Sequence, residues 1–178
     1  MDADKIAKLL GEPPPALKAQ VDEAIRHTLQ VLAIKLPSDI AEMLPPLPVV
    51  VFDLKGTTAG QAWTGENKIR VNLGVLMNPK YQEDMLEQTI PHEVAHLVTR
   101  AIWGSQVKSH GRQWAFIMNL LGKPAKRCHT YEVEPARKRA KPFRYECDCQ
   151  THMVSVTIHR RITQGREYKC TDCNGRLR

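Results

Sequence analysis

The chain has 178 residues, 42% of them hydrophobic, with no apolar run of membrane-spanning length and an acidic start at Met1-Asp2-Ala3-Asp4. These features argue against a transmembrane helix or a secretory leader, and they predict a cytoplasmic protein of one compact domain, or of one domain plus a small appendage. The net charge of +7 is uneven: residues 123–178 hold 14 Lys/Arg against 6 Asp/Glu, while the first 122 hold 12 against 13, so the basic last third is expected to face a polyanion such as nucleic acid.

In chain order, residues 2–10 predict a short helix, broken by Pro13-Pro14-Pro15. Over 16–36, Leu17, Val21, Ile25, Leu29, Leu32 and Leu36 form a helical stripe that Pro37 closes. Residues 49–52 read as a strand. Residues 58–64 and 68–73 read as a hairpin around Gly65-Glu66-Asn67, with Ile69, Val71 and Leu73 on its buried face. A helix is expected over 83–103, stopped by Gly104, with Pro91 marking a kink or a fresh start. Ser109 is the expected cap of a helix over 110–121, closed by Gly122. The predicted division is a domain at 1–122, a basic proline-containing linker at 123–144, and a small unit at 145–178.

The segment His92-Glu93-Val94-Ala95-His96 carries the clearest chemistry. Residues four apart share a helix face, so both imidazoles can point at one ion, while Glu93 is rotated by about 100° and reaches beside it. With 7 His and 11 Glu in the chain, random placement yields this pattern roughly 0.02 times. Ile90, Val94, Leu97 and Ala101 supply a separate apolar stripe, so the histidines are not needed as core. A catalytic zinc takes a third protein ligand and leaves a position open for water. Thr99 and Ile102 stand where the metzincin continuation would place a glycine and a third histidine, so a more distant ligand is required. His110 is the best placed, and His129 and Glu132 are the alternatives. The sequence does not single out a group to stabilise an oxyanion.

Five cysteines include Cys147-x-Cys149 and Cys170-x-x-Cys173. In a cytoplasmic chain such pairs favour metal over disulfides. Val154, Val156 and Ile158 alternate with polar residues, predicting a strand that Thr163-Gln164-Gly165 would turn into a second one. Two strands with a knuckle at each end make a zinc ribbon stabilised by its ion. Thiolate softness favours the four cysteines as ligands, with His152 as an alternative through Cys149-x-x-His152. Cys128 is left over. The ribbon and linker together carry eleven Lys/Arg between Arg137 and Arg178, and Phe143, Tyr145 and Tyr168 are placed either to stack on bases or to form ribbon core.

Ile90-Pro91-His92-Glu93-Val94-Ala95-His96-Leu97, His110-Gly111-Arg112-Gln113-Trp114, Tyr145-Glu146-Cys147-Asp148-Cys149 and the terminal Tyr168–Leu177 segment, in this order, resemble the SprT family of zinc metalloproteins. The resemblance runs from about Val49 onward and is nearer the short bacterial members than the longer Spartan proteases. It implies an α+β, zincin-like domain with a small antiparallel sheet, followed by a zinc ribbon. It also implies His92, His96 and His110 as ligands of a catalytic Zn²⁺, Glu93 as catalytic residue and a second, structural Zn²⁺. Spartan-type relatives cut proteins trapped on DNA, so the resemblance implies a metalloendopeptidase with a protein substrate and DNA as partner. The alternative is a nucleic-acid-binding zinc-ribbon regulatory protein without significant proteolysis.

Overall fold

A computed structural model describes residues 12–128, 131–132 and 141–178. The expected helix at 2–10 lies outside them. The chain divides into two compact units, Met1–Ala136 and Arg137–Arg178. The first is α+β and is built around one small sheet. No helix among the described residues is long and apolar enough to cross a membrane.

Helix α1 spans Pro15–Lys35 and opens with a proline in its first turn, where a missing N–H costs nothing. It buries Leu17, Val21, Ile25, Thr28 and Leu32, and Leu36 turns extended ahead of Pro37. A short helix α2 follows at Ser38–Ala41. Strands β1 (Val49–Val51), β2 (Gly60–Trp63) and β3 (Lys68–Val71) form a sheet of order β1-β3-β2. β2 and β3 are the expected hairpin, antiparallel with Ala62 opposite Ile69. β1 pairs with β3 in parallel, so the sheet is mixed rather than antiparallel, and β2 is an edge. Asn67 takes the turn's left-handed position at φ 45° and donates to the Pro46 carbonyl at 3.0 Å.

The hairpin's second strand was expected to reach residue 73. It stops at Val71 because Asn72 caps a helix instead, α3 (Leu73–Leu76). The Asn72 side chain accepts from the Gly74 and Val75 amides and donates to the Gly56 and Thr58 carbonyls at 2.9 and 3.0 Å. Every polar atom of this buried amide is thereby used, and the 56–58 loop is held in place.

The helix expected over 83–103 is built in three parts: α4 (Gln82–Asp84), a π-helical turn at Met85–Thr89, and α5 (Ile90–Trp103). Pro91 accounts for the break. It has no N–H for the Glu87 carbonyl and its ring crowds that turn, so the backbone widens and the Ile90 N–H reaches Met85. Gly104, at φ 77°, ends α5. Helix α6 (Arg112–Leu120) starts later than expected. Gly111 rather than Ser109 is its N-cap, with no side-chain cap bond, which leaves His110 in the preceding loop. α1, α5, α6 and the inner sheet face enclose the core, where Ile69, Val71, Ile90, Val98, Trp114 and Ile117 are at most 1% exposed.

The second unit pairs β4 (Phe143–Glu146) with β5 (Thr151–Val154) in an antiparallel hairpin. The strand expected beyond Val154 is a helix, α7 (Val156–Thr163). Ser155 caps it by accepting from the Ile158 amide, and Ile158 and Ile162 share its inner face at helical spacing. The second strand after Gly165 is reduced to one bridge, Lys169 to Arg176.

Candidate metal centre

His92 and His96 project from successive turns of α5, and His110 meets them from the loop before α6. Their Nε2 atoms form a triangle with edges of 3.1, 3.2 and 3.2 Å. Nitrogens bound tetrahedrally at ~2.0–2.1 Å stand about 3.3 Å apart, so the triangle has the size of one ion's ligand face. Trp114, 1% exposed, forms the floor, with its ring 4.7–5.5 Å from all three imidazoles. Its packing is against the site itself. Burial, and then the neighbouring His92 and His110, hold His96 down to about 3. Burial, with Arg127 nearby, also lowers His110. Both rings are therefore neutral at pH 7, the form that ligates metal. A hydrogen bond to the Ser109 backbone orients His96 further.

Glu93 is 6% exposed. Burial raises its carboxyl to about 7, offset in part by a backbone hydrogen bond from Ala62 on β2. The close contact between β2 and α5 depends on Gly60. A Cβ there would sit 2.9 Å from Glu93 Cγ, Glu93 Oε1 and Thr89 Cγ2. Gly60 belongs to no motif, although a lone glycine in a strand is a known sign of close backbone approach. Gly60→Ala is expected to lower stability by about 1–3 kcal/mol, read as an earlier urea midpoint at unchanged slope. An unaltered midpoint would show that the contact yields without strain.

The site opens into a cleft of about 830 Å³. Of the alternative third ligands, Glu132 is tied to Lys80 at the surface, at 2.9 Å, and His129 lies outside the described residues. The Tyr131 hydroxyl bonds to Asp84 and Thr89, both on the cleft wall.

A second group lies in the other unit. The sulfurs of Cys147, Cys149, Cys170 and Cys173 are within 4.8 Å of one another, with 3.4 Å between the first two and 3.7 Å between Cys149 and Cys170. Four sulfurs around one ion at ~2.3 Å would stand about 3.8 Å apart. Cys147 and Cys149 occupy the β4–β5 turn. Backbone amides of Asp172 and Gly175 point at the sulfurs of Cys170 and Cys173, both at 3.4 Å. Backbone groups of Cys173 and Asp172 lower the Cys170 thiol to about 5. His152 stands beside the group, its Nε2 3.2 Å from Cys147 Sγ. Cys128 belongs to neither group; it lies on the cleft wall. Both groups can hold a metal ion.

A His-Glu-x-x-His helix against a small sheet, completed by a histidine from a downstream loop, defines a class of helix-borne metal centres. Residues 38–137 match the SprT-like family, and the chain belongs to that family. It is 35% identical to Protein SprT of Klebsiella pneumoniae over 166 residues, 92% of this chain and 94% of the relative. It is 36% identical to Protein SprT of Pectobacterium atrosepticum over 167 residues (93% and 92%). Against Protein SprT of Escherichia coli K12 the identity is 34% over 166 residues (92% and 94%). No solved structure matches the chain at a significant level.

Proposed function

We propose that the chain is a zinc-dependent endopeptidase acting on proteins associated with nucleic acid. The observation that carries this reading is the Nε2 triangle of His92, His96 and His110 with the buried Glu93 carboxyl beside it. The three imidazoles would hold zinc and leave its remaining position open to the cleft. Zinc, when bound, supplies a water acidified to a pKa of ~7 and polarises a carbonyl. Glu93, buried beside the three imidazoles, would act there as the group that takes up a proton and gives it to the leaving amine. The edge strand β2 runs alongside and holds an extended peptide by backbone pairing. Strand β3 cannot take that role, because it is central and paired on both sides.

The nucleic-acid part rests on the second unit, folded around a zinc bound by its four cysteines. Arg160, Arg161 and Arg166 have no carboxylate partner among the described residues, whereas Arg144, Arg176 and Arg178 are in ion pairs. Phe143 is stacked on His159 with 3.6 Å between ring centres and is 37% exposed, an open face for a base. Arg160→Gln with Arg161→Gln is expected to weaken single-stranded DNA binding and to flatten the plot of log affinity against log salt by about 1.4. An unchanged slope in anisotropy titrations would remove α7 from the interface.

The same observations favour a second reading, a nucleic-acid-binding regulator whose histidine site does no proteolysis. A zinc count paired with DNA-stimulated proteolysis separates the two. The first reading expects two zinc per chain and cleavage that is lost in Glu93→Gln. Two zinc with no cleavage under any DNA condition supports the second.

A further inference from the structure

The cleft carries a charge pattern that the proposed chemistry does not use. Among the described residues, four basic side chains line it: Arg100, Lys108, Lys126 and Arg127. They come from three separate segments. Arg100 is half-buried on α5, one turn beyond His96 and two beyond His92, so it extends the ligand stripe. Lys108 stands on the loop that presents His110. Lys126 and Arg127 follow α6, and Arg127 is near enough to His110 to act on its ring. None of the four has a carboxylate partner among the described residues. Among the described residues, the carboxylates on the cleft wall are Asp84 and Glu93. Asp84 accepts from the Tyr131 hydroxyl, and Glu93 is buried beside the histidines.

We propose that the cleft selects peptide segments bearing Asp or Glu next to the bond to be cut. The proposal rests on the endopeptidase reading and names its substrate class. Unpaired cations around a concave site raise the local concentration of anionic groups and hold them once seated. The shape favours a peptide over a nucleic-acid backbone. At about 830 Å³ the hollow is in the ~300–1,000 Å³ range of pockets that enclose a small ligand or a short extended segment. Its wall includes the edge strand β2, and a strand edge can pair with peptide backbone.

Binding is measured apart from cleavage, on full-length zinc-loaded Glu93→Gln, by fluorescence anisotropy at 0.15 M salt. Three peptides differ only in carrying Glu, Gln or Lys at the positions flanking the central bond. The Glu peptide is expected to bind about tenfold tighter than the Gln peptide, and the Lys peptide weakest. Adding Arg100→Gln with Arg127→Gln is expected to abolish most of that preference, whereas Lys18→Gln with Lys55→Gln, an equal charge loss away from the cleft, keeps it. Lys126→Gln alone, expected to reduce the preference in part, serves if the double substitution disturbs folding or zinc content. Equal binding of the three peptides overturns the proposal. So does a preference that survives Arg100→Gln/Arg127→Gln, because net charge then explains it. A single-stranded oligonucleotide that displaces the Glu peptide, with affinity that depends on the same two arginines, overturns it in favour of nucleic acid. Wild-type cleavage of the same peptides keeps the two readings apart. Selective binding without cleavage leaves this proposal standing and removes the endopeptidase reading, and cleavage without charge preference does the reverse.

Discussion

Glu93→Gln is expected to slow peptide hydrolysis by about 10²–10⁴-fold with zinc content unchanged. The substitution keeps shape and volume at a residue packed against Gly60 and Thr89, and it leaves all three imidazoles in place. It removes only the ability to take up and return a proton. A rate within a few-fold of wild type, with two zinc bound, would show that Glu93 is not the base. The same change has a signature in the zinc-free protein. The folded carboxyl titrates near 7, above its ordinary 4.5, because of burial. The folded state therefore holds its proton more tightly than the unfolded chain does. The resulting stabilisation is complete below pH ~4.5 and is lost as pH rises through 7, about 3 kcal/mol in all. Glu93→Gln should flatten that part of the stability–pH curve. A curve of unchanged steepness would assign the loss to other groups.

The reach of the sequence follows from how many residues each feature needs. His92, Glu93 and His96 are legible because one helical turn relates them, and α5 is long and strongly patterned. His110 is legible as a candidate, but its role depends on the loop leaving α5 at Gly104 and re-entering at Gly111. Short segments misled. Residues 154–158 alternate like a strand, while Ser155, Ile158 and Ile162 fit a capped helix equally well, and the cap won. Asn72-Leu73-Gly74-Val75 is ambiguous in the same way, and the four bonds of the Asn72 side chain decide it. The parallel pairing of β1 with β3 has no local signal, because it joins residues nearly twenty apart. Gly60 and Trp114 matter through what lies across from them in space, Glu93 for one and the three imidazoles for the other.

The four-cysteine group is the other place where a single change should have a large effect. The second unit buries few apolar side chains; Val154 and Leu177 are 7% and 8% exposed, and Cys170 is 3%. A unit this small needs a staple, and zinc bound by thiolates in such units is worth about 10–16 kcal/mol. Cys170→Ser is therefore expected to reduce zinc from two per chain to one and to unfold α7 and the β4–β5 hairpin. Unit Met1–Ala136 should keep its own cooperative transition, because its core is separate. Far-UV circular dichroism with a zinc count reads the first effect, and thermal unfolding the second. His152 gives the control that identifies the ligands. Its ring lies 3.2 Å from Cys147 Sγ but outside the four-sulfur group, a place from which it can support a thiolate without being a ligand. His152→Ala should then keep two zinc, with weaker affinity, whereas Cys149→Ser should lose one. The opposite pair of results would make His152 the fourth ligand and leave Cys149 outside the shell. A folded second unit in Cys170→Ser would mean that packing and the hairpin hold it together without the metal.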